Sequence, residues 1–209
     1  VEDTYEAVYT KITEEDVSTL KGLDDFSRVG EYYMLAVEPA EQGYNASYIY
    51  CDEETMYIAR DQMKLLEGRL PQKEDEVVVS RYFLSNYGAD AGIGEKVMLS
   101  SESFHGEYTV TGIMEGYKEK EVNGSSILLS KEALKGWSGY DPADYRAYVH
   151  FKNEQQMDET ELTARSREIA KEYQLEMPVM NLSYMKFYKQ PVNVSMLALV
   201  AGIAVLVII

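Results

Sequence analysis

Side chains that most often do chemistry are scarce or scattered in this chain of 209 residues. The two histidines, His105 and His150, lie far apart, and neither belongs to the His-Glu-x-x-His spacing that sets two imidazoles on one helix face for zinc. Cys51 is the single cysteine, so an internal disulfide framework and a thiolate zinc site are both excluded. "GADAGIG" (Gly88 to Gly94) offers glycines without the Lys and Ser/Thr that hold phosphate and magnesium, and it reads as turn punctuation. A Gly-x-Ser-x-Gly nucleophile elbow is missing. With 36 carboxylates, no spacing singles out an acid–base pair. The 18 tyrosines suit a binding surface, since Tyr gives large contact area at low entropy cost, but strand positions account for most of them equally well. Asn-x-Ser sequons at Asn45, Asn123, Asn181 and Asn193 matter only where the source glycosylates. The expectation is a protein with no catalytic residues, no cofactor and no metal.

Composition narrows the class. An apolar content of 45% supports a real core, in one domain or two small subdomains. The formal charge of -16, with no Lys/Arg cluster, argues against a nucleic-acid partner, which requires cations to displace phosphate counterions. The chain starts at Val1 without an initiator methionine or signal pattern, as expected of a processed or excised piece. Its last stretch, "VSMLALVAGIAVLVII" (Val194 to Ile209), has Ser195 as its only polar side chain. Sixteen helical residues rise roughly 24 Å against a hydrocarbon core of roughly 30 Å, so the run is expected to be the start of a transmembrane helix. Val194, Leu197, Leu199, Val200, Ile203 and Leu206 are its expected span residues, since the run is apolar all round where a core helix keeps a polar stripe.

The interior alternates strand and helix patterns. "TYEAVYTKI" (Thr4 to Ile12) alternates as a half-buried strand; Thr13 then caps a helix with Glu14, Glu15 and Asp16 in its first turn and Gly22 as its stop. Strands are expected over Phe26 to Val37 and Tyr44 to Asp52, and a helix over Glu53 to Glu67 that ends at Gly68. "VVVSRYFL" (Val77 to Leu84) and "ILLSKEAL" (Ile127 to Leu134) share one grammar: three branched residues, a serine and a helical run, with Ser80 and Ser130 as N-caps. Lys96 to Ser100 and Glu107 to Met114 read as a hairpin around "SESFHG". "YRAYVHF" (Tyr145 to Phe151) alternates as a half-exposed strand with His150 on its solvated face. A helix is then expected from about Glu154 to Tyr173, with a capping box of Asn153 and Gln156, a Glu161–Arg165 pair, and Leu162, Ile169 and Tyr173 on one face.

The most specific stretch is "LEGRLPQKEDEVVVS" (Leu66 to Ser80). Gly68 is expected to stop a helix, Pro71 to prevent its restart, Gln72 to Glu76 to cross the surface, and Val77 to Val79 to enter the core as a strand buried on both faces. Arg69 is left over, and an ion pair with Glu76 is the expectation for it. This stretch, followed by "IGEKVML" (Ile93 to Leu99, containing Gly94) and "YTVTGIM" (Tyr108 to Met114, containing Gly112), resembles the extracytoplasmic domain of FtsX-like and MacB-like ABC transporter permeases. There a Gly-Arg-x-Pro corner, a Glu and a hydrophobic strand, a Gly-rich turn and a Val-x-Gly-Ile strand follow in this order. Glu95 stands where the family has Asp. The close match covers about fifty residues.

The resemblance implies a mixed α+β domain over residues 1–190, whose strand-rich part at about 93–130 is a candidate subdomain, with a truncated membrane helix over 191–209. It implies structural roles for Gly68, Arg69, Pro71, Glu76, Gly94 and Gly112. It also implies a cell-membrane protein with this domain outside, a cytoplasmic ABC ATPase partner reached through the rest of the permease, a peptide, lipid or envelope-protein ligand, and a dimer in the full-length protein. The competing reading is a membrane-anchored binding or sensor module without an ATPase; a third is an anchored hydrolase.

Overall fold

The computed structural model describes residues 4–60, 62–87, 91–116, 119–152 and 154–188, and in them ten strands and seven α-helices build one mixed sheet with helices packed on it. The first half runs β1 (Ala7–Ile12), α1 (Glu14–Lys21), β2 (Phe26–Pro39), β3 (Asn45–Cys51), α2 (Glu53–Ile58), β4 (Met63–Gly68), β5 (Glu76–Ser80) and α3 (Arg81–Asn86). The second half runs β6 (Lys96–Ser100), β7 (His105–Gly116), α4 (Glu119–Val122), β8 (Gly124–Leu129), α5 (Lys131–Gly136), β9 (Tyr145–Phe151), α6 (Glu159–Glu172), β10 (Val179–Met180) and α7 (Leu182–Tyr188).

Most boundaries follow from local chemistry. Thr13 accepts from the Asp16 amide while the Asp16 carboxylate accepts from the Thr13 amide, so two orphan donors at the start of α1 are satisfied reciprocally. Ser80 and Ser130 cap α3 and α5 through the amides of Phe83 and Ala133, each 3.0 Å away, as their shared grammar predicts. The two strands that deliver these serines lie side by side, β5 antiparallel to β8, and the Ser80 hydroxyl meets that of Ser125 at 3.0 Å. β6 and β7 form the expected antiparallel hairpin.

The strand order is β10-β1-β9-β2-β3-β8-β5-β7-β4, with β6 also on β7. β3 with β8 and β5 with β7 are parallel; every other pair is antiparallel. Alternating side chains feed two cores. The larger holds Val77, Val79, Ile127 and Leu129 beneath α1, α3, α5 and α6; the smaller holds Val78, Leu128, Tyr148 and Cys51 with Met56 and Ile58 of α2. Val77 to Val79 are thus fully buried on both faces. At roughly 1.5–3 kcal/mol per buried side chain, these three residues commit β5 to the sheet centre.

Four expectations need correction. The helix over Glu53 to Glu67 stops at Ile58, and Met63–Gly68 is a strand, because β7 offers a free edge that pairs Met63 with Gly116 and Leu65 with Met114. Gly68 therefore ends a strand. β9 is buried along almost its whole length: it lies between β1 and β2, and both of its faces are covered, so His150 is 5% exposed instead of solvated. The helix expected from Glu154 divides into a 3₁₀ turn (Glu154–Gln156) and α6, whose capping box is Asp158 with Glu161; Asn153 lies outside the described residues. Because the Glu161 carboxylate accepts from the Asp158 amide, Arg165 pairs with Asp25 at 2.7 Å and with Glu168 at 3.2 Å. Leu162 and Ile169 are buried on the predicted face, and Tyr173 packs at its border.

Among the described residues no helix is long and apolar enough to cross a membrane. Val194, Leu197, Leu199, Val200, Ile203 and Leu206 lie outside them.

Candidate functional site

Where β4 leaves the sheet, the chain turns through Arg69 to Asp75 before entering β5, and this corner gathers most of the motif residues. Both Arg69 terminal nitrogens donate to Glu76, Nη1 to Oε2 and Nη2 to Oε1, each at 2.8 Å. Glu76 Oε2 also accepts from the amides of Gln72 at 2.8 Å and Lys73 at 3.3 Å. One carboxylate thereby ties both arms of the corner and answers two turn amides that would otherwise be orphaned. The Arg69 fork, helped by those amides and opposed by burial, holds the Glu76 carboxyl at about 2, well below the usual carboxylate range.

The glycines make the corner possible. Gly68 has φ +79°, and a Cβ there would stand 2.2 Å from the Thr111 carbonyl oxygen and 2.8 Å from Gly112 Cα. Gly112 is its partner in register across β4 and β7, and a Cβ on Gly112 would stand 2.7 Å from the Arg69 carbonyl. The Thr111 hydroxyl lies within 3.3 Å of the Arg69 carbonyl and 3.2 Å of the Val77 carbonyl, so β7 is laced to both arms. Gly94 (φ +88°) sits in the neighbouring turn, where its amide donates to the Val110 carbonyl at 2.8 Å and Glu95 accepts from the Gly92 amide at 2.7 Å. Ile93 of that turn reaches over Gly68. Pro71 is half-buried, next to Leu70, which packs on the smaller core. Gly68, Arg69, Glu76 and Gly112 thus meet at this corner, with Pro71 within its turn and Gly94 in the neighbouring one.

Two ionic clusters were not legible in the sequence. Lys131 at the start of α5 lies between Glu14 of α1 and Glu31 of β2, and its Nζ is 2.7 Å from Glu31. Lys135 adds a bond to Glu14 at 2.9 Å, and Lys21 joins Asp52 at 2.9 Å. Burial works against the Lys131 charge, yet the two carboxylates outweigh it and raise its pKa. A nucleophilic lysine needs the opposite shift, so this network is a tie between α1, α5 and the sheet.

The second cluster is Glu6 with His150. The β1–β9 register, continued by one residue from Ala7–Val149, sets them opposite each other, and His150 Nδ1 meets Glu6 Oε1 at 2.9 Å. Glu6 Oε2 accepts from the Phe151 amide at 2.8 Å. Burial pushes the Glu6 carboxyl up, against the lowering effect of His150 and that amide. Each residue sits at a polar phase of its strand, and that shared phase was the one available signal.

Among the described residues no group of three or more His, Cys, Asp and Glu could hold a metal ion. Cys51 is buried and its thiol is pushed up by desolvation, away from the thiolate form a nucleophile needs. His105 is exposed at the start of β7.

No family model matches the chain, and no curated protein matches it. Solved structures do. The extracellular domain of the noncanonic ABC-type transporter YknZ from Gram-positive bacteria aligns at a TM-score of 0.57 and 15% identity, over 83% of this chain and 97% of that one. A domain of a putative permease protein from Porphyromonas gingivalis gives 0.52 and 14%, over 81% and 84%. The periplasmic region of MacB from Actinobacillus actinomycetemcomitans gives 0.57 and 10%, over 91% and 94%. At these identities the likeness is one of fold, and it agrees with the motifs: this chain has the α+β fold of the extracellular and periplasmic domains of ABC-type transporter permeases.

Proposed function

We propose that this chain is the extracytoplasmic domain of an FtsX/MacB-type ABC transporter permease in a cell membrane. In this reading it is a non-catalytic lever and binding surface, driven by a cytoplasmic ATPase through the membrane helices. The observation that carries this best is how the described chain enters and leaves the sheet. β1 and β10 pair antiparallel at one edge, Ala7 opposite Met180, and Asn181 donates its amide to the Glu6 carbonyl at 2.7 Å and its side-chain Nδ2 to the Tyr5 carbonyl at 3.1 Å. A domain inserted between two consecutive membrane helices needs its entry and exit adjacent, and this pairing supplies that.

Residues 1–190 would be the outer domain and residues 191–209 the start of the second span. The long helix α6 and the connector Met177 to Pro191, which leads toward Val194, would couple domain to membrane. The full-length protein would act as a dimer and take a peptide, lipid or envelope protein as ligand.

The test is a flexible Gly-Ser insert in this connector, made in the full-length permease and reconstituted with its ATPase in proteoliposomes. Transport should fall at least ten-fold while ATP hydrolysis persists. Transport and hydrolysis that remain coupled as in the parent would overturn the lever reading, and an anchored binding module predicts no ATPase dependence of any kind.

A further inference from the structure

An aromatic cleft of about 380 Å³ opens between the corner before β5, the β6–β7 turn and the end of α5, far along the sheet from β10. Phe104 forms its buried floor, packed on Tyr48 with ring centroids 4.4 Å apart. Trp137 stands 6.2 Å from Phe104 with the ring planes 32° apart. Its indole is seated against Gly139, where a Cβ would come within 2.5 Å of the ring. Tyr108 of β7 supplies the third aromatic wall.

The charge in this cleft is one-sided. Glu74 is the only Asp, Glu, Lys or Arg among its described lining residues. Its Oε1 stands over Gly136, 3.4 Å from where a Cβ would be, and its carboxylate has no ion pair or hydrogen bond among the described residues. Ser103 is already committed, since its hydroxyl donates to Glu38 Oε2 at 3.1 Å and its amide to Glu38 Oε1 at 3.0 Å. That contact brings a second carboxylate to the rim.

Three aromatic side chains and an unpaired carboxylate among the lining residues, on a chain of net charge -16, disfavour an anion and suit a soft cation. We infer that the cleft lined by Trp137, Phe104 and Tyr108 binds an organic cation, an ammonium or guanidinium head that packs against the exposed edges of Trp137 and Tyr108 and pairs with Glu74. The inference goes beyond the permease reading, because the cleft's chemistry is the same whatever the rest of the protein does.

Trp137 is the only tryptophan, so its emission reports on this cleft directly. The 209-residue chain in detergent micelles is titrated with end-blocked tetra-arginine, with tetramethylammonium and with tetra-glutamate. Saturable change with either cation supports the site. A response to the arginine peptide alone assigns it to basic side chains of a polypeptide, and a response to tetramethylammonium alone assigns it to small free cations. Glu74→Gln should weaken binding roughly five-fold, and Tyr108→Leu roughly five- to ten-fold. Circular dichroism melting verifies that each variant is folded, and Glu74, being exposed, carries the test if Tyr108→Leu is not. The inference is overturned if neither cation gives a saturable response, if tetra-glutamate binds as well, or if Glu74→Gln binds with parental affinity. None of these outcomes bears on the coupling experiment.

Discussion

Arg69–Glu76 and Glu6–His150 are built alike and behave oppositely. In each, both oxygens of one glutamate are engaged, by a basic side chain together with one or more backbone amides. Arg69 is about half exposed at its side chain, permanently charged and bidentate, and it lowers the pKa of Glu76. Glu6 is fully buried, its partner is an imidazole, and burial is the larger influence, so its carboxyl is raised. The difference teaches that the partner's hydrogen bonds alone do not set the sign of the shift; solvent access and a fixed charge decide it.

The largest effect expected on either region is at Gly68. Gly68→Ala forces a side chain onto a left-handed residue and into the Thr111 carbonyl, and denaturant unfolding should show a loss of about 3–4 kcal/mol. If the loss is below about 1 kcal/mol, the corner is not the rigid half of the comparison.

Next comes Glu6→Leu, which strips the Phe151 amide and His150 of their shared acceptor inside the core. A cost of about 3 kcal/mol in the same measurement is expected. Arg69→Met should cost less, about 1–2 kcal/mol, because Arg69 is half exposed and the Gln72 and Lys73 amides still hold Glu76.

The subtlest test is pH. Glu76 is depressed, so its stabilisation is fully present above about pH 4.5 and is lost as pH falls toward about 2; the gap between parent and Arg69→Met should close over that window. Glu6 is raised, so its contribution is greatest below its ordinary value of 4.5 and declines as pH rises through the folded pKa. Glu6→Gln, which keeps the acceptor for the Phe151 amide, should therefore cost less than about 1 kcal/mol and gain on the parent as pH rises above the ordinary glutamate value of 4.5. Parallel slopes in the two variant series would falsify the comparison.

Much of the architecture could be read before the structure. The caps at Thr13, Ser80 and Ser130 each depend on the amide three residues on, so spacing alone specifies them. The valine run of β5 and the β6–β7 hairpin are similarly short-range. Arg69 and Glu76 are seven residues apart across one turn, close enough for sequence to suggest their pairing.

By itself, then, the sequence determined the local punctuation, an α+β domain and a motif corner at Gly68 to Glu76. Tertiary structure alone decided that the second half of the expected Glu53 to Glu67 helix became a strand. Met63–Gly68 became a strand because β7 had a free edge, a fact contained in residues more than forty positions away. It also decided the environment of every polar group in β9: His150 alternates like a surface residue, but β1 and β2 flank it and cover it. The Lys131 network and the aromatic cleft draw side chains from several distant elements. Spacing along the chain carries the physics of caps and turns, whereas burial, charge pairing and cleft shape depend on three-dimensional neighbours that no local pattern encodes.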